Sequence, residues 1–233
     1  PYITRDGQTN PEINLLDRNR LGATASHVVT LTLAWYFSGD EAYAQKATEL
    51  IRVWFLNKET RMNPNLEYAQ MVPGHDNGKG RCYGLIDSYS FIEMLDAVAL
   101  LEQSKAFTPK DSKQLKAWFT KLTDWMLTSS QGKEEAAGAN NHSVAYDAQI
   151  AAFSLYTGNR KLAQEVIEAF PQKRIFPQVN PDGSQPHELR RTLAFHYSQY
   201  NLAHFIDLML MGRKLGLHID NATSDDGLSL IHI

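Results

Sequence analysis

With 233 residues, 43% of them hydrophobic, the chain is long enough to bury the core of one sizeable domain. Its formal charge of −3 comes from 26 acidic and 23 basic side chains of interspersed sign, which leaves no basic stripe for nucleic acid and gives no support to membrane binding. The single cysteine, Cys82, excludes an internal disulfide, and no apolar run is long enough to cross a bilayer.

The chain opens at Pro1 within a polar segment, without a Met or a signal peptide, so an upstream portion is expected to be missing. Residues 228–233 read as a non-native tail, leaving 1–227 as a single, partial domain. Leu21, Ala25, Val28, Val29, Leu31, Leu33, Ala34 and Trp35 recur at helical spacing and predict an amphipathic helix over 21–37, stopped by Ser38-Gly39-Asp40. A second helix is predicted over 41–55, burying Ala44, Ala47, Leu50, Ile51, Trp54 and Phe55. From 56 to 87 the periodicity disappears and Asn, Pro and Gly accumulate. A loop of that length inside a domain is usually functional or disordered, and Tyr68, Met71, Val72 and Tyr83 are too apolar for pure disorder.

Helical pattern returns over 88–103 and over 110–128, where Pro109 suits a first turn. A loop over 131–141 leads to helices at 143–156 and 160–170, separated by Thr157-Gly158-Asn159. That pair echoes the first one: Tyr36-Phe37-Ser38-Gly39-Asp40 followed by Ala44-Gln45 corresponds in register to Leu155-Tyr156-Thr157-Gly158-Asn159 followed by Ala163-Gln164. Beyond a Pro181-Asp182-Gly183 turn, a last long helix is predicted from about 187 to 216. Repeated helical hairpins without convincing strands predict an all-α fold, an (α/α) toroid or a solenoid.

The chemically pointed stretch is the Gly138-led loop that carries Asn141 and His142 into a helix. An Asn amide can hold a negatively charged oxygen and an imidazole can exchange a proton near neutral pH, although short polar residues at a helix start also serve simply as caps. Gln70, His75, Asn77, Lys79, Arg81 and Tyr83 in the irregular segment suit sugar carboxylates, hydroxyls and rings, with a structural Gly-rich turn as the competing reading. Tyr146 and Gln149 follow His142 on its helix, where they line a cleft or pack. His187-Glu188 begins like a zinc-protease motif, but Arg191 stands where the second His belongs. Asn180-Pro181-Asp182-Gly183 lacks the further oxygens of a calcium loop, so no metal is expected.

Several blocks together resemble the alginate lyase family of polysaccharide lyases: Tyr36-Phe37-Ser38-Gly39-Asp40, Thr60-Arg61-Met62-Asn63-Pro64-Asn65, Tyr68-Ala69-Gln70, Asn141-His142, and Pro181-Asp182-Gly183-Ser184-Gln185-Pro186-His187-Glu188-Leu189-Arg190-Arg191-Thr192 with Tyr197-Ser198. They span about residues 20 to 205. The resemblance implies an (α/α) toroid, here incomplete at its N-terminal end, that cleaves a uronic-acid polymer by β-elimination. Alginate is the first substrate it implies, and glucuronan or another polyuronide the next. It implies catalytic roles for Asn141, His142, Tyr197 and an Arg just before that Tyr. Arg191 lies in the favoured Arg-Thr dipeptide, whereas Arg190 would share a helical face with Tyr197 if the segment were helical. No cofactor is expected, the partner is an anionic polysaccharide, and the location is the periplasm or exterior of a bacterium. Two other classes remain: a toroid glycoside hydrolase using Asp87 and Asp147 as its carboxylate pair, and a non-catalytic carbohydrate-binding helical protein.

Overall fold

The structure is a computed structural model that describes residues 3, 5–225, 227 and 228. Its elements, in chain order, are α1 (Asp17–Ser38), α2 (Glu41–Ile51), α3 (Phe91–Leu101), α4 (Pro109–Thr128), α5 (Ser130–Ala136), α6 (Asn141–Thr157), α7 (Arg160–Phe170), α8 (Phe176–Gln178), α9 (Pro186–Leu189) and α10 (Ala194–Lys214). The helices pack as hairpins around α6, which touches α4, α7 and α10 most extensively, giving the all-α toroid class that the sequence predicts. Among the described residues no element is a strand, and no helix is long and apolar enough to cross a membrane.

The echo between the two hairpins is a repeated turn. α1 ends on Gly39 at φ 72° and α6 ends on Gly158 at φ 85°, a left-handed conformation that an L side chain resists. The next helix is then capped by a short polar side chain, Asp40 accepting from the amide of Ala42 and Asn159 from that of Leu162. α4 starts with a reciprocal box between Thr108 and Asp111 and with Pro109 at its first turn.

Two apolar clusters flank α6. The first gathers Val28, Ile51, Phe55, Phe91, Phe119, Leu122, Ile150 and Phe153 from α1 to α6; the second gathers Val144, Ala148 and Ala151 with Ile167, Phe170, Phe205 and Leu208. Because α6 gives side chains to both, it is buried nearly all round.

Three element boundaries differ from expectation. α2 stops at Ile51 and widens into a π turn, Arg52–Leu56, closed by the Asn57 amide on the Arg52 carbonyl at 2.8 Å. The expected 131–141 loop contains α5, a helix too short to display a period, capped by Ser129. The expected 187–216 helix breaks after α9 and resumes at Ala194, with Leu193 at φ −108° and ψ 56°. On α1, Leu33 faces outward, whereas Thr24 and Thr32 take inward positions. Of the expected tail 228–233, Leu228 is buried in the second cluster, and 229–233 lie outside the described residues.

Candidate active site

The start of α6 organises the site. Asn140 is the cap, its side-chain oxygen accepting from the His142 amide, which frees the two residues after it for other contacts. The carboxylate of Glu188, on α9, accepts from both the backbone N–H and the side-chain amide of Asn141, each at 2.7 Å. His142 meets the buried Glu135 of α5, with Nδ1 2.7 Å from Oε1. An ionised carboxylate only accepts, so the proton of the neutral ring sits on Nδ1 and Nε2 carries the free lone pair. The ring of Tyr83 stands steeply inclined to the same imidazole, at 70°, with ring centres 5.2 Å apart.

Tyr197 lies in the first turn of α10, and the Arg191 guanidinium rests over its ring at 3.8 Å. Arg191 also pairs with Asp6 at 2.7 Å, and the Thr192 amide bonds the other Asp6 oxygen. Those contacts, Arg191 first and Thr192 second, hold the Asp6 carboxyl well below the usual carboxylate range. Arg190 turns instead to His187, 2.6 Å from its Nδ1. The break between α9 and α10 therefore separates the two candidate arginines, giving Arg191 to the tyrosine and Arg190 to a neighbouring histidine. Glu188, tied to α6 through its side chain, also closes the local turn after α9, because its carbonyl accepts the Arg191 amide at 3.0 Å.

Deeper along α10, His196 stacks on Tyr200, and His204 sits 4.2 Å, centre to centre, from both Tyr200 and Tyr89. Burial pushes the Tyr200 hydroxyl up to about 12, aided by the charge of Asp87. Burial also holds His204 neutral down to about 3, with His142 adding to the effect. The Tyr89 hydroxyl is pushed well above its ordinary range by burial and then by Asp207, to which it donates a hydrogen bond.

The irregular segment lies beside His142. Gln131 of α5 donates to the carbonyls of Glu67 and Gly80, fastening α5 to the segment. A recess of about 420 Å³ is lined by Asn77, Lys79, Arg81, Tyr83, Gln131 and Glu134 among others, so four of the six expected sugar-binding residues share one surface. Lys79 pairs with Glu67 at 2.8 Å, and the Arg81 guanidinium lies 5.7 Å from the Tyr83 ring centre. Gln70 has turned inward, its amide donating to the Tyr83 carbonyl and to Asp87, and His75 is not part of the recess lining.

Three expectations need correction. Tyr146 does not line a cleft: it is 5% exposed and its hydroxyl donates to the Met126 carbonyl. Gln149 is fully buried, accepting from Ser88 and donating to the Ala145 carbonyl. Asp147 is closed off as a hydrolytic carboxylate, because Arg174 takes its two oxygens at 2.7 and 3.1 Å and Lys173 adds a third contact at 3.2 Å. Arg174 also donates to the carbonyls of Ala136 and Gly138, so this ion pair shapes the loop leading to Asn141. Asp87, the other half of that pair, has a nearly buried side chain engaged by Arg18 at 2.8 Å and Gln70 at 3.1 Å.

Sequence reasoning missed Glu135 and Glu188 as partners of the site. The His187-Glu188 pair was a signal, but it points to Asn141 rather than to zinc. The four-residue spacing of His196, Tyr200 and His204 along one helix was another. Among the described residues no group of three His, Cys, Asp or Glu side chains could hold a metal ion.

The family model described as alginate lyase matches residues 1–233 of the chain. The crystal structure of an alginate lyase from Bacteroides ovatus at 1.60 Å resolution is similar over 100% of this chain, with 54% identity and a TM-score of 0.98. The match covers 61% of that structure's chain. No curated protein matches the sequence.

Proposed function

The chain belongs to the alginate lyase family, and on that premise we propose that it is a polysaccharide lyase cleaving a uronic-acid polymer, alginate first, by β-elimination. In such a sugar the C5 proton becomes removable only when the charge growing on the adjacent carboxylate is neutralised. Asn141 and Arg191 are the donors for that charge, and the positive end of α6 adds to them. His142 Nε2 takes the C5 proton when it is presented on the imidazole side; Tyr197 as phenolate takes it when it lies on the same side as the leaving oxygen. The C5–H electrons form the C4–C5 double bond, the C4–O4 bond breaks, and the O4 oxygen receives the Tyr197 proton. Proton transfers of this kind are worth about 10² to 10⁴ in rate each.

The observation that carries this reading is the Asn141-His142 pair at a helix start, with each side chain held by its own buried carboxylate. Lys79, Arg81 and Tyr83 in the adjacent recess bind the polymer through its carboxylates and ring faces, with Asn77 and His75 near them in sequence. Gln70 acts on the fold of this segment rather than on the sugar, since its amide is committed to Tyr83 and Asp87. A polymeric substrate is met outside the cytoplasm, so the protein works in the periplasm or beyond the cell.

The test is ultraviolet absorbance from the new double bond during separate incubations with alginate, glucuronan and pectate. A rise on alginate that His142→Ala and Tyr197→Phe both abolish is expected. New reducing ends without any rise in absorbance would refute elimination.

A further inference from the structure

Glu188 has no part in the elimination, yet it is 1% exposed and directs both carboxylate oxygens at one residue, Asn141. A cap for α6 would require only the backbone bond, and Asn140 already supplies a cap. The second bond, to Nδ2, acts on the side chain. Because a carboxylate accepts and never donates, it obliges the amide to present its nitrogen, not its oxygen, to Glu188. This fixes the plane of the amide and commits one Nδ2–H, leaving the other for an anionic ligand. The negative charge also strengthens and shortens the contact relative to one between neutral groups. On its other side the Glu188 carbonyl holds the Arg191 amide at 3.0 Å, at the point where the chain leaves α9.

We propose that Glu188 is a positioning residue for the carboxylate-neutralising Asn141, its buried side chain setting the direction of the Asn141 amide while its backbone carbonyl holds the turn that leads to Arg191. This rests on the lyase reading above. A Gln at this position keeps the shape but offers one acceptor and one donor to two N–H groups, so one contact must fail. An Asp keeps the charge and is too short to reach both.

The experiment is a double-mutant cycle on alginate, followed by ultraviolet absorbance, with Glu188→Gln, Asn141→Ala and the combination. Glu188→Gln is expected to lower kcat by about 10- to 100-fold, as a small misplacement of a positioned group does, with little change in KM. In the Asn141→Ala background the same change is expected to cost much less, because its target is gone. In the NMR spectrum of the wild type, one Asn141 side-chain amide proton is expected far downfield and slow to exchange, and Glu188→Gln should remove both features. Glu188→Asp serves if the Gln variant fails to fold, with the same loss expected. Equal kcat losses in the two backgrounds, or an amide signal unmoved by either Glu188 variant, would overturn the proposal while leaving the lyase reading intact. Full activity of Asn141→Ala would instead remove the site assignment, and this proposal with it.

Discussion

The two ends of α6 begin from the same chemistry and reach different ends. At its C-terminus Gly158 turns the chain and Asn159 caps α7, accepting from Leu162 at 3.3 Å. At its N-terminus Asn140 caps α6, accepting from His142 at the same 3.3 Å. The first is a turn and nothing more. In the second, two further polar residues follow the cap, and each is met by a buried acid, Glu188 on Asn141 and Glu135 on His142. An Asn at a helix start is a cap unless something inside the protein has been built to hold it. Here the buried carboxylates supply that distinction.

The largest expected effect tests whether the N-terminal end is the chemical one. His142→Ala and Tyr197→Phe should each lower kcat by about 10² to 10⁴, the range for a lost proton-transfer group, with melting temperatures close to the wild type. Activity within a few-fold of the wild type in either variant would reduce this end to another capped turn.

Next comes the contrast between acids that serve the site and an acid that serves the fold. Asp147 lies less than two turns into α6, but its partners are Arg174 and Lys173. Asp147→Asn leaves the buried Arg174 guanidinium without its counter-charge, which should cost about 3 to 5 kcal/mol of stability. Chemical denaturation reads this as a lower midpoint. The ultraviolet assay should show kcat per folded molecule changing far less than in the His142 variant. A hydrolytic Asp147 would show the reverse, lost turnover at unchanged stability.

A smaller effect concerns acid. His204, packed against the rings of Tyr89 and Tyr200, is held neutral down to about 3 by burial, whereas in the unfolded chain it titrates near its ordinary value of 6.5. Between those values the unfolded state binds the extra proton, so stability falls as pH falls, by about 1.4 kcal/mol per pH unit from this group. His204→Phe should flatten the decline in melting temperature between neutral pH and pH of about 5. An unchanged slope would show that other groups carry it.

The fold was largely readable because α1, α2, α4 and α7 bury one face each, and Gly39, Gly158 and Pro109 mark their ends. α6 was located for the same reason, but its faces were not. A helix packed between two clusters has no polar side to set Tyr146 and Gln149 apart as cleft residues, and both proved to be core. Asn141 and His142 stood out by residue type at a helix start, whereas Tyr197 and an Arg before it, Arg191 or Arg190, were nominated only through the resemblance to the alginate lyase family. Their supports could be nominated neither way: Glu135 sits on a helix too short to show a period, and Glu188 reaches Asn141 across 47 positions of sequence. Contacts of that kind are made by the fold, so they become visible only with it.

The finest test sets the two caps side by side. Asn140→Ala and Asn159→Ala each remove one side-chain acceptor from a helix start at the same distance, so each should cost about 1 kcal/mol of stability. If the two ends of α6 differed only in local structure, the variants would match in the activity assay as well. The Asn140 carbonyl accepts from both the amide and the hydroxyl of Ser143, at 3.1 and 2.9 Å, and survives the substitution; what Ala removes is the side-chain bond to the His142 amide in the turn that presents Asn141 and His142. Loosening that turn should move those side chains against Glu188 and Glu135 and lower kcat by several-fold, whereas Asn159→Ala should leave kcat within experimental error. Equal stability losses with unequal turnover would confine the chemistry to one end of the helix. Equal losses of both would mean that α6 transmits disorder along its whole length, and that the site depends on the helix as a body rather than on its first turn.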